Sequence, residues 1–131
     1  MRVYVAAPWI HREAADEAAR KLENAGHTIT HKWWAHEGGL GGYLENDPDR
    51  ETKLRGHAQD DFRGAASAEA LILLSSAKSE GKATEQGIAL AKGIPIIAVG
   101  KRGEFSNIFH YLHNYRWVAS VEEAIDELGR I

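Results

Sequence analysis

The sequence contains no cysteine, which excludes disulfides, thiolate nucleophiles and cysteine-ligated zinc. Its seven histidines are scattered and form no His-Glu-x-x-His pattern, so neither a metal site nor a cofactor is expected. No apolar stretch approaches the ~20 residues that a membrane span requires, and the apolar run at the N-terminus is too short for a signal peptide. These absences predict a cytoplasmic protein without a membrane partner.

The sequence also has no excess of positive charge. Its 131 residues carry a net charge of −3, which gives no reason to expect nucleic acid as a partner. Hydrophobic residues make up 44% and charged residues 27%, as in ordinary globular proteins. A chain of this length can bury a core without disulfides or metals. We therefore expect a single domain over residues 1–131.

Apolar, β-branched segments alternate with helical ones along the chain. The predicted strands are 2–7, 27–34, 69–75, 94–99 and 117–119. The predicted helices are 11–25, 48–67, one that carries Glu85 and ends at Gly93, 105–113, and one opened by a capping box at 120–123. This alternation predicts an α/β fold, a flavodoxin/Rossmann-like doubly wound sheet of five parallel strands. In such sheets ligands bind beyond the carboxyl ends of the strands, so we expect the chemistry in the loops there.

Glu85 is the first candidate for that chemistry. It follows a loop that carries Ser79 and Gly81, and the alanine-rich pattern places it in the first turn of a helix. The positive end of a helix dipole favours the ionised form of a carboxylate. An ionised carboxylate at the rim of a sheet can act as a nucleophile. Helix statistics alone favour a simpler interpretation, in which Glu85 only complements the helix terminus.

Asp61 is the second candidate, because it falls on the apolar side of its helix. The predicted inward stripe of that helix is Leu54, Ala58, Phe62 and Ala65. A carboxylate in the middle of this stripe is costly unless it is paired, protonated or facing a cavity. The alternative is that Asp61 caps a loop or pairs with Arg55 or Arg63.

Two carboxylates that converge on one cleft are the minimum set for displacing a group at a sugar carbon. One attacks or stabilises the oxocarbenium-like centre, and the other manages a proton. Mutual repulsion and burial are expected to keep Asp61 protonated while Glu85 stays charged.

Three segments of the chain resemble one known family. They are 4–9 (YVAAPW), 60–72 (DDFRGAASAEALI) and 79–95, which reads Ser-x-Gly-x-x-x-Glu-x-Gly-x-Ala-x-Ala-x-Gly-x-Pro. The family is that of the nucleoside 2-deoxyribosyltransferases and the related deoxynucleoside 5′-monophosphate N-glycosidases. The similarity covers most of the chain, and the last segment is the most specific.

The resemblance implies a role for each matching residue. Glu85 would attack the anomeric carbon to give a glycosyl-enzyme, Asp61 would help to protonate the leaving base, and Tyr4 would orient Glu85. Ser79, grouped with Gly81 as substrate-binding, matches the serine that lies next to the phosphate in the monophosphate enzymes. Ser106 matches a serine that a neighbouring subunit contributes, and a homodimer or larger homo-oligomer is implied by the same resemblance.

The first loop departs from the family. Residues 6–12 lack the glycine-rich phosphate cradle of the monophosphate enzymes, so Arg12 or Lys82 would have to compensate.

Three tryptophans are candidates for stacking on the base. Trp33 and Trp34 end the predicted second strand, and Trp9 follows the first. Stacking of a base on an aromatic ring contributes about 1–3 kcal/mol. The alternative is packing in the core, and at least one of Trp33 and Trp34 is expected to be structural.

Two classes of function remain open from the sequence. The first is an enzyme that cleaves or exchanges the N-glycosidic bond of a (deoxy)nucleoside or its 5′-monophosphate, with this small molecule as its partner. The second is a non-catalytic nucleotide-binding or signalling domain of the same fold.

Overall fold

A computed structural model describes residues 1–35, 46–105 and 107–131. The strands are β1 (Arg2–Ala6), β2 (Thr28–Ile29), β3 (Ala70–Leu74), β4 (Ile96–Val99) and β5 (Tyr115–Val118). The α-helices are α1 (Arg12–Asn24), α2 (Arg50–Ser67), α3 (Glu80–Ala91) and α4 (Val121–Leu128). Short 3-10 segments lie at Trp9–His11, Trp33–Ala35 and Ile108–Tyr111.

The five strands form one parallel sheet in the order β2-β1-β3-β4-β5. Every residue of β3 is buried, because helices cover both faces of the sheet at its centre. Helix α1 contacts α4, whereas α2 contacts α3, so each face carries two helices. The predicted α/β fold with a doubly wound sheet of five strands is therefore confirmed.

Two of the predicted elements are shorter than expected. Strand β2 pairs through only Thr28 and Ile29, whereas the prediction ran over 27–34. The chain leaves the sheet there because the Trp33 indole donates a hydrogen bond of 2.7 Å to the Val5 carbonyl, which fixes a 3-10 turn instead of a ladder. The predicted helix 105–113 is reduced to the 3-10 segment Ile108–Tyr111.

The predicted capping box at the last helix is confirmed. The Ser120 hydroxyl accepts a hydrogen bond of 3.1 Å from the Glu123 backbone N–H. The Glu123 carboxylate in turn accepts one of 2.8 Å from the backbone N–H of Ala119. Helix α4 is thus closed at its start by its own residues.

The inward face of α2 differs from the predicted stripe. Ala65 is buried, but Ala58 is exposed and Phe62 is 57% exposed. The helix is rotated because Gly64 lies directly against β1 and the loop after β2, where a Cβ would come 3.0 Å from Tyr4 Cε2 and 2.7 Å from the His31 Cβ. Asp61, one turn before Gly64, lies on the half-buried side as predicted.

No helix within the described ranges is both long enough and apolar enough to cross a membrane.

Gly64→Ala tests the close approach of α2 to the sheet. The added methyl would also lie 3.0 Å from Tyr4 Cε2, so we expect a loss of about 1–3 kcal/mol in the free energy of unfolding. Gly56→Ala is the matched control, because it lies on the same helix with nothing within 4 Å of its Cβ position. That control should gain about 0.5–1 kcal/mol from helix propensity. Urea denaturation measures both, and equal effects of the two substitutions would contradict the packing described.

Candidate active site

A hydrogen bond between strand β1 and helix α3 holds the Glu85 carboxyl. Tyr4 is fully buried in the middle of β1, and its hydroxyl donates to Oε2 of Glu85 on α3. The two residues are 81 positions apart in sequence. They meet because β1 and β3 are neighbours in the sheet, so the helix that follows β3 passes near β1.

The position of Glu85 within its helix differs from the prediction. Helix α3 begins at Glu80 after the N-cap Ser79, so Glu85 is its sixth residue and lies in the second turn. The effect of a helix dipole falls off beyond the first turn. The dipole is therefore not the main influence on the Glu85 carboxyl.

Burial controls the charge of Glu85 instead. It raises the pKa of this carboxyl to about 8, against the opposing effect of the hydrogen bond from Tyr4, and the charge of Asp61 adds to the rise. Burial therefore favours the neutral form of Glu85, whereas the sequence predicts the charged form. Burial also raises the pKa of Tyr4, so its hydroxyl stays a donor.

Asp61 faces the same pair from α2. Burial raises its pKa, whereas the nearby imidazoles of His31 and His57 lower it. His31 Nε2 lies 3.1 Å from Asp61 Oδ1, and the Asp61 side chain remains 37% exposed. The alternative pairing with Arg55 is not formed, because Arg55 binds Glu51 at 3.0 Å. Tyr4, Glu85 and Asp61 therefore form one electrostatically coupled group that is not sealed from solvent.

Two histidines of this group escaped the sequence interpretation. His31 was assigned to a strand, but β2 ends at Ile29, so His31 lies in the loop at the carboxyl edge of the sheet. Had the predicted second strand ended at Ile29, His31 would have fallen in one of the loops where ligand-binding residues are expected. His57 lies one turn before Asp61 on α2 and is half-buried.

Ser79 lies at the rim of a cavity of about 240 Å³ beside the start of α3. Its hydroxyl accepts a hydrogen bond of 3.3 Å from the Lys82 backbone N–H, so it caps the helix that carries Glu85. Gly81 is exposed in the first turn of that helix and does not line this cavity. A substrate contact by Ser79 or Gly81 stays a prediction.

The three tryptophans pack on one another. Trp33 is 7% exposed, and its ring centroid lies 6.2 Å from that of Trp9 and 5.3 Å from that of Trp34. The Trp34 indole donates a hydrogen bond of 2.9 Å to Asp16 on α1. Trp33 and Trp34 therefore have a structural role. Stacking of a base on any of the three stays a prediction.

Arg12 is exposed and already has contacts. Its guanidinium carbon lies 4.9 Å from the centre of the Trp9 ring, and Nη1 donates to the Trp9 carbonyl at 3.3 Å.

Ser106 lies outside the described residues. Within the described part of the chain, no group of three or more histidine and acidic side chains is placed to hold a metal ion.

Comparison with known proteins identifies the fold. No family model matches the sequence, and no curated protein matches it significantly. The CMP N-glycosidase BcmB of Clostridium botulinum is similar over 100% of both chains, with 21% identity and a TM-score of 0.56. A 2-deoxyribosyltransferase of Bacillus psychrosaccharolyticus is similar over 96% of this chain and 91% of its own, with 18% identity and a TM-score of 0.59.

A third solved structure is more distant in sequence. The DNA processing protein A of Helicobacter pylori, which binds single-stranded DNA, has a TM-score of 0.61 at 10% identity, over 99% of this chain and 80% of its own. At these identities a likeness establishes the fold. The sequence resemblance to the nucleoside deoxyribosyltransferase-like proteins is therefore confirmed for the fold.

The raised pKa of Glu85 predicts a pH-dependent stability. Between about pH 4.5 and pH 8 the folded chain keeps a proton that the unfolded chain has lost, so the stabilisation is complete at low pH and is lost as the pH rises through 8. Relative to Glu85→Gln, the free energy of unfolding of the natural protein should fall by up to about 1.4 kcal/mol per pH unit in this window. Urea denaturation at pH 5, 6.5 and 8 measures the difference. Glu80→Gln, at an exposed position of the same helix, keeps Glu85 and should show the same fall relative to Glu85→Gln as the natural protein. Parallel stability curves for the natural protein and Glu85→Gln would contradict the burial argument.

Proposed function

We propose that the protein cleaves or transfers the N-glycosidic bond of a nucleoside or nucleotide, with Glu85 as the nucleophile. The arrangement of Tyr4, Glu85 and Asp61 carries this proposal, because it brings two carboxyl groups and an orienting hydroxyl to one place. The two structural neighbours named for glycosidic chemistry, a CMP N-glycosidase and a 2-deoxyribosyltransferase, support the same class of reaction.

The first half of the reaction forms a covalent intermediate. Glu85 must release its proton to solvent before it attacks, and the Tyr4 hydroxyl then donates to the resulting carboxylate and holds its orientation. One Glu85 oxygen forms a bond to the anomeric carbon while the bond from that carbon to the base breaks. The base leaves with the electron pair and takes a proton from Asp61, whose pKa is raised by burial.

The second half releases the sugar. Water, or a second base in a transferase, attacks the anomeric carbon and breaks its bond to Glu85. Asp61, now ionised, takes the proton of the attacking group and becomes neutral again. Glu85 leaves as a carboxylate and regains from solvent the proton that it released before the attack. His31 lies 3.1 Å from Asp61, so it is placed to stabilise the ionised form of Asp61 between the two halves.

One observation favours the alternative of a binding domain without turnover. With a pKa of about 8, Glu85 is largely protonated at neutral pH and is then not a nucleophile. The two functions differ in one measurement. Incubation with deoxynucleosides and with their 5′-monophosphates, followed by chromatography for free base, detects turnover. Measurable nucleotide affinity without release of any common base would favour the binding domain.

Glu85→Gln should abolish turnover and keep binding. The amide retains the shape of the side chain and can accept the hydrogen bond from Tyr4, but it lacks the attacking charge. We expect base release to fall by several orders of magnitude, with the substrate dissociation constant changed by less than about tenfold. Chromatography and calorimetry give the two quantities. Glu80→Gln is the matched control on the same helix and should behave as the natural protein. Turnover that survives in Glu85→Gln would reject Glu85 as the nucleophile.

Asp61→Asn tests the assignment of the proton donor. Removal of a general acid slows reactions by about 10²–10⁴-fold, and the loss is greatest where the leaving group is most basic. Rates for a series of bases with different leaving-group pKa values measure the effect. Asp60→Asn, at the exposed neighbouring position, is the control. Equal slowing of all substrates by Asp61→Asn would assign Asp61 to positioning instead.

A further inference from the structure

The cavity at the start of α3 is small and mixed in character. It lies between the loop after β3 and the segment after β4. Its volume of about 240 Å³ is below the about 300–1,000 Å³ that is usual for drug-sized ligands. Polar groups line it from Ser75, Ser79, Asn107 and His110, and apolar ones from Ala77 and Phe105. Such a cavity suits a small molecule that has both polar and apolar parts.

The amine of Lys82 lies inside this cavity. The residue lines the cavity and is only 6% exposed. Its Nζ donates a hydrogen bond to the Ala77 carbonyl and lies 5.9 Å from the centre of the Phe105 ring. Since Ala77 and Phe105 line the same cavity, a molecule that enters it meets this amine.

No counter-ion holds the charge of Lys82. Among the residues that the structure describes, no carboxylate lies within 4.0 Å of its Nζ. Lys78 and Glu80, at the rim of the cavity, are exposed and have opposite charges. A buried ammonium without a counter-ion costs free energy, and burial lowers the pKa of Lys82. The position therefore favours the neutral amine, which is the nucleophilic form of a lysine.

A hydrogen-bond network determines the state of the imidazole beside Lys82. The Gln86 amide nitrogen donates to the Lys82 carbonyl at 3.1 Å, so Gln86 Oε1 is the acceptor for the Tyr115 hydroxyl at 2.7 Å. The same Oε1 lies 3.1 Å from His110 Nε2, which must then carry the proton of the ring. Burial and the charge of Lys82 lower the pKa of His110, which favours this neutral form. The wall is therefore fixed before a ligand enters, and it adds no charge to the interior.

We propose that Lys82 captures a small, uncharged hydroxyaldehyde in this cavity as a covalent imine. The hydroxyls of Ser75 and Ser79 and the amide of Asn107 suit the hydroxyl of such a molecule, because each can both donate and accept a hydrogen bond. The imine is neutral, so its formation removes the buried charge that has no counter-ion. This inference does not depend on the reaction proposed for Glu85.

The reaction needs no reagent besides the amine and the aldehyde. After Lys82 Nζ has released one proton to solvent, its electron pair forms a bond to the carbonyl carbon, and a proton of the nitrogen passes to the carbonyl oxygen. The resulting hydroxyl takes a proton from solvent and leaves as water while the carbon–nitrogen double bond forms. The last proton of the nitrogen returns to solvent. One amine and one aldehyde thus give one imine and one water.

Reductive trapping in the natural protein tests the proposal. Glycolaldehyde is added at pH 7 with sodium cyanoborohydride, which reduces an imine to a secondary amine, and peptide mass mapping gives the rate at each lysine. Lys82 should be modified at least about fivefold faster than Lys78 on the exposed rim, since a desolvated amine is a nucleophile at neutral pH. The rate at Lys82 should also saturate with aldehyde concentration, because the aldehyde binds before it reacts. Equal rates at the two lysines, or a rate at Lys82 that rises linearly throughout, would overturn the proposal.

Propanal tests the preference for a hydroxyl, because it has a methyl group where glycolaldehyde has its hydroxyl. Its half-saturating concentration at Lys82 should be about two- to tenfold higher, as expected for the loss of one hydrogen bond. Equal half-saturating concentrations would reject hydroxyaldehydes as the preferred class.

Two variants serve as a matched pair. Lys82→Arg keeps a positive charge but cannot form an imine, so the fast-reacting group should be lost while the other lysines react as before. Lys78→Arg should keep the fast-reacting group. Mapping in the natural protein needs neither variant, so the test stands even if Lys82→Arg does not fold. Glu85→Gln should be modified at Lys82 as fast as the natural protein, which separates this site from the proposed glycosidic reaction.

Discussion

The arrangement of the candidate site depends on one contact between the interior of the sheet and a helix. The Tyr4 hydroxyl is the polar end of a fully buried side chain, and Glu85 accepts its hydrogen bond. A buried hydroxyl without a partner is costly, so this bond fixes the position of α3 relative to β1 as well as the orientation of the carboxyl. The close approach of α2 at Gly64 then brings Asp61 to the same place.

The same burial that positions Glu85 also determines its proton affinity. Water is largely excluded around the carboxyl, which favours the neutral form, while Tyr4 favours the charged form less strongly. A carboxyl in this environment becomes charged only when a ligand or a higher pH removes its proton.

The fold was predictable because β1, β3 and β4 are buried apolar runs separated by helical patterns, a local signal that survives in the structure. The sequence predictions failed where contacts between residues distant in sequence decide the length of a strand or the orientation of a helix. Strand β2 ends early because Trp33 binds the Val5 carbonyl, and α2 is rotated because Gly64 packs on the sheet. The protonation of Glu85 depends on groups from three elements, which no helical pattern encodes. The contact of Tyr4 with Glu85 was foreseen only through the family resemblance.

The two-residue strand β2 has a consequence for the edge of the sheet. Exposed strand edges offer unpaired backbone groups to other chains and are starting points for aggregation. Here the outer strand pairs through Thr28 and Ile29 alone, and the backbone then turns away into the 3-10 segment at Trp33–Ala35. At two residues this edge strand offers little backbone for another chain to pair with, so the early turn that brings His31 beside Asp61 also protects this side of the sheet against strand addition.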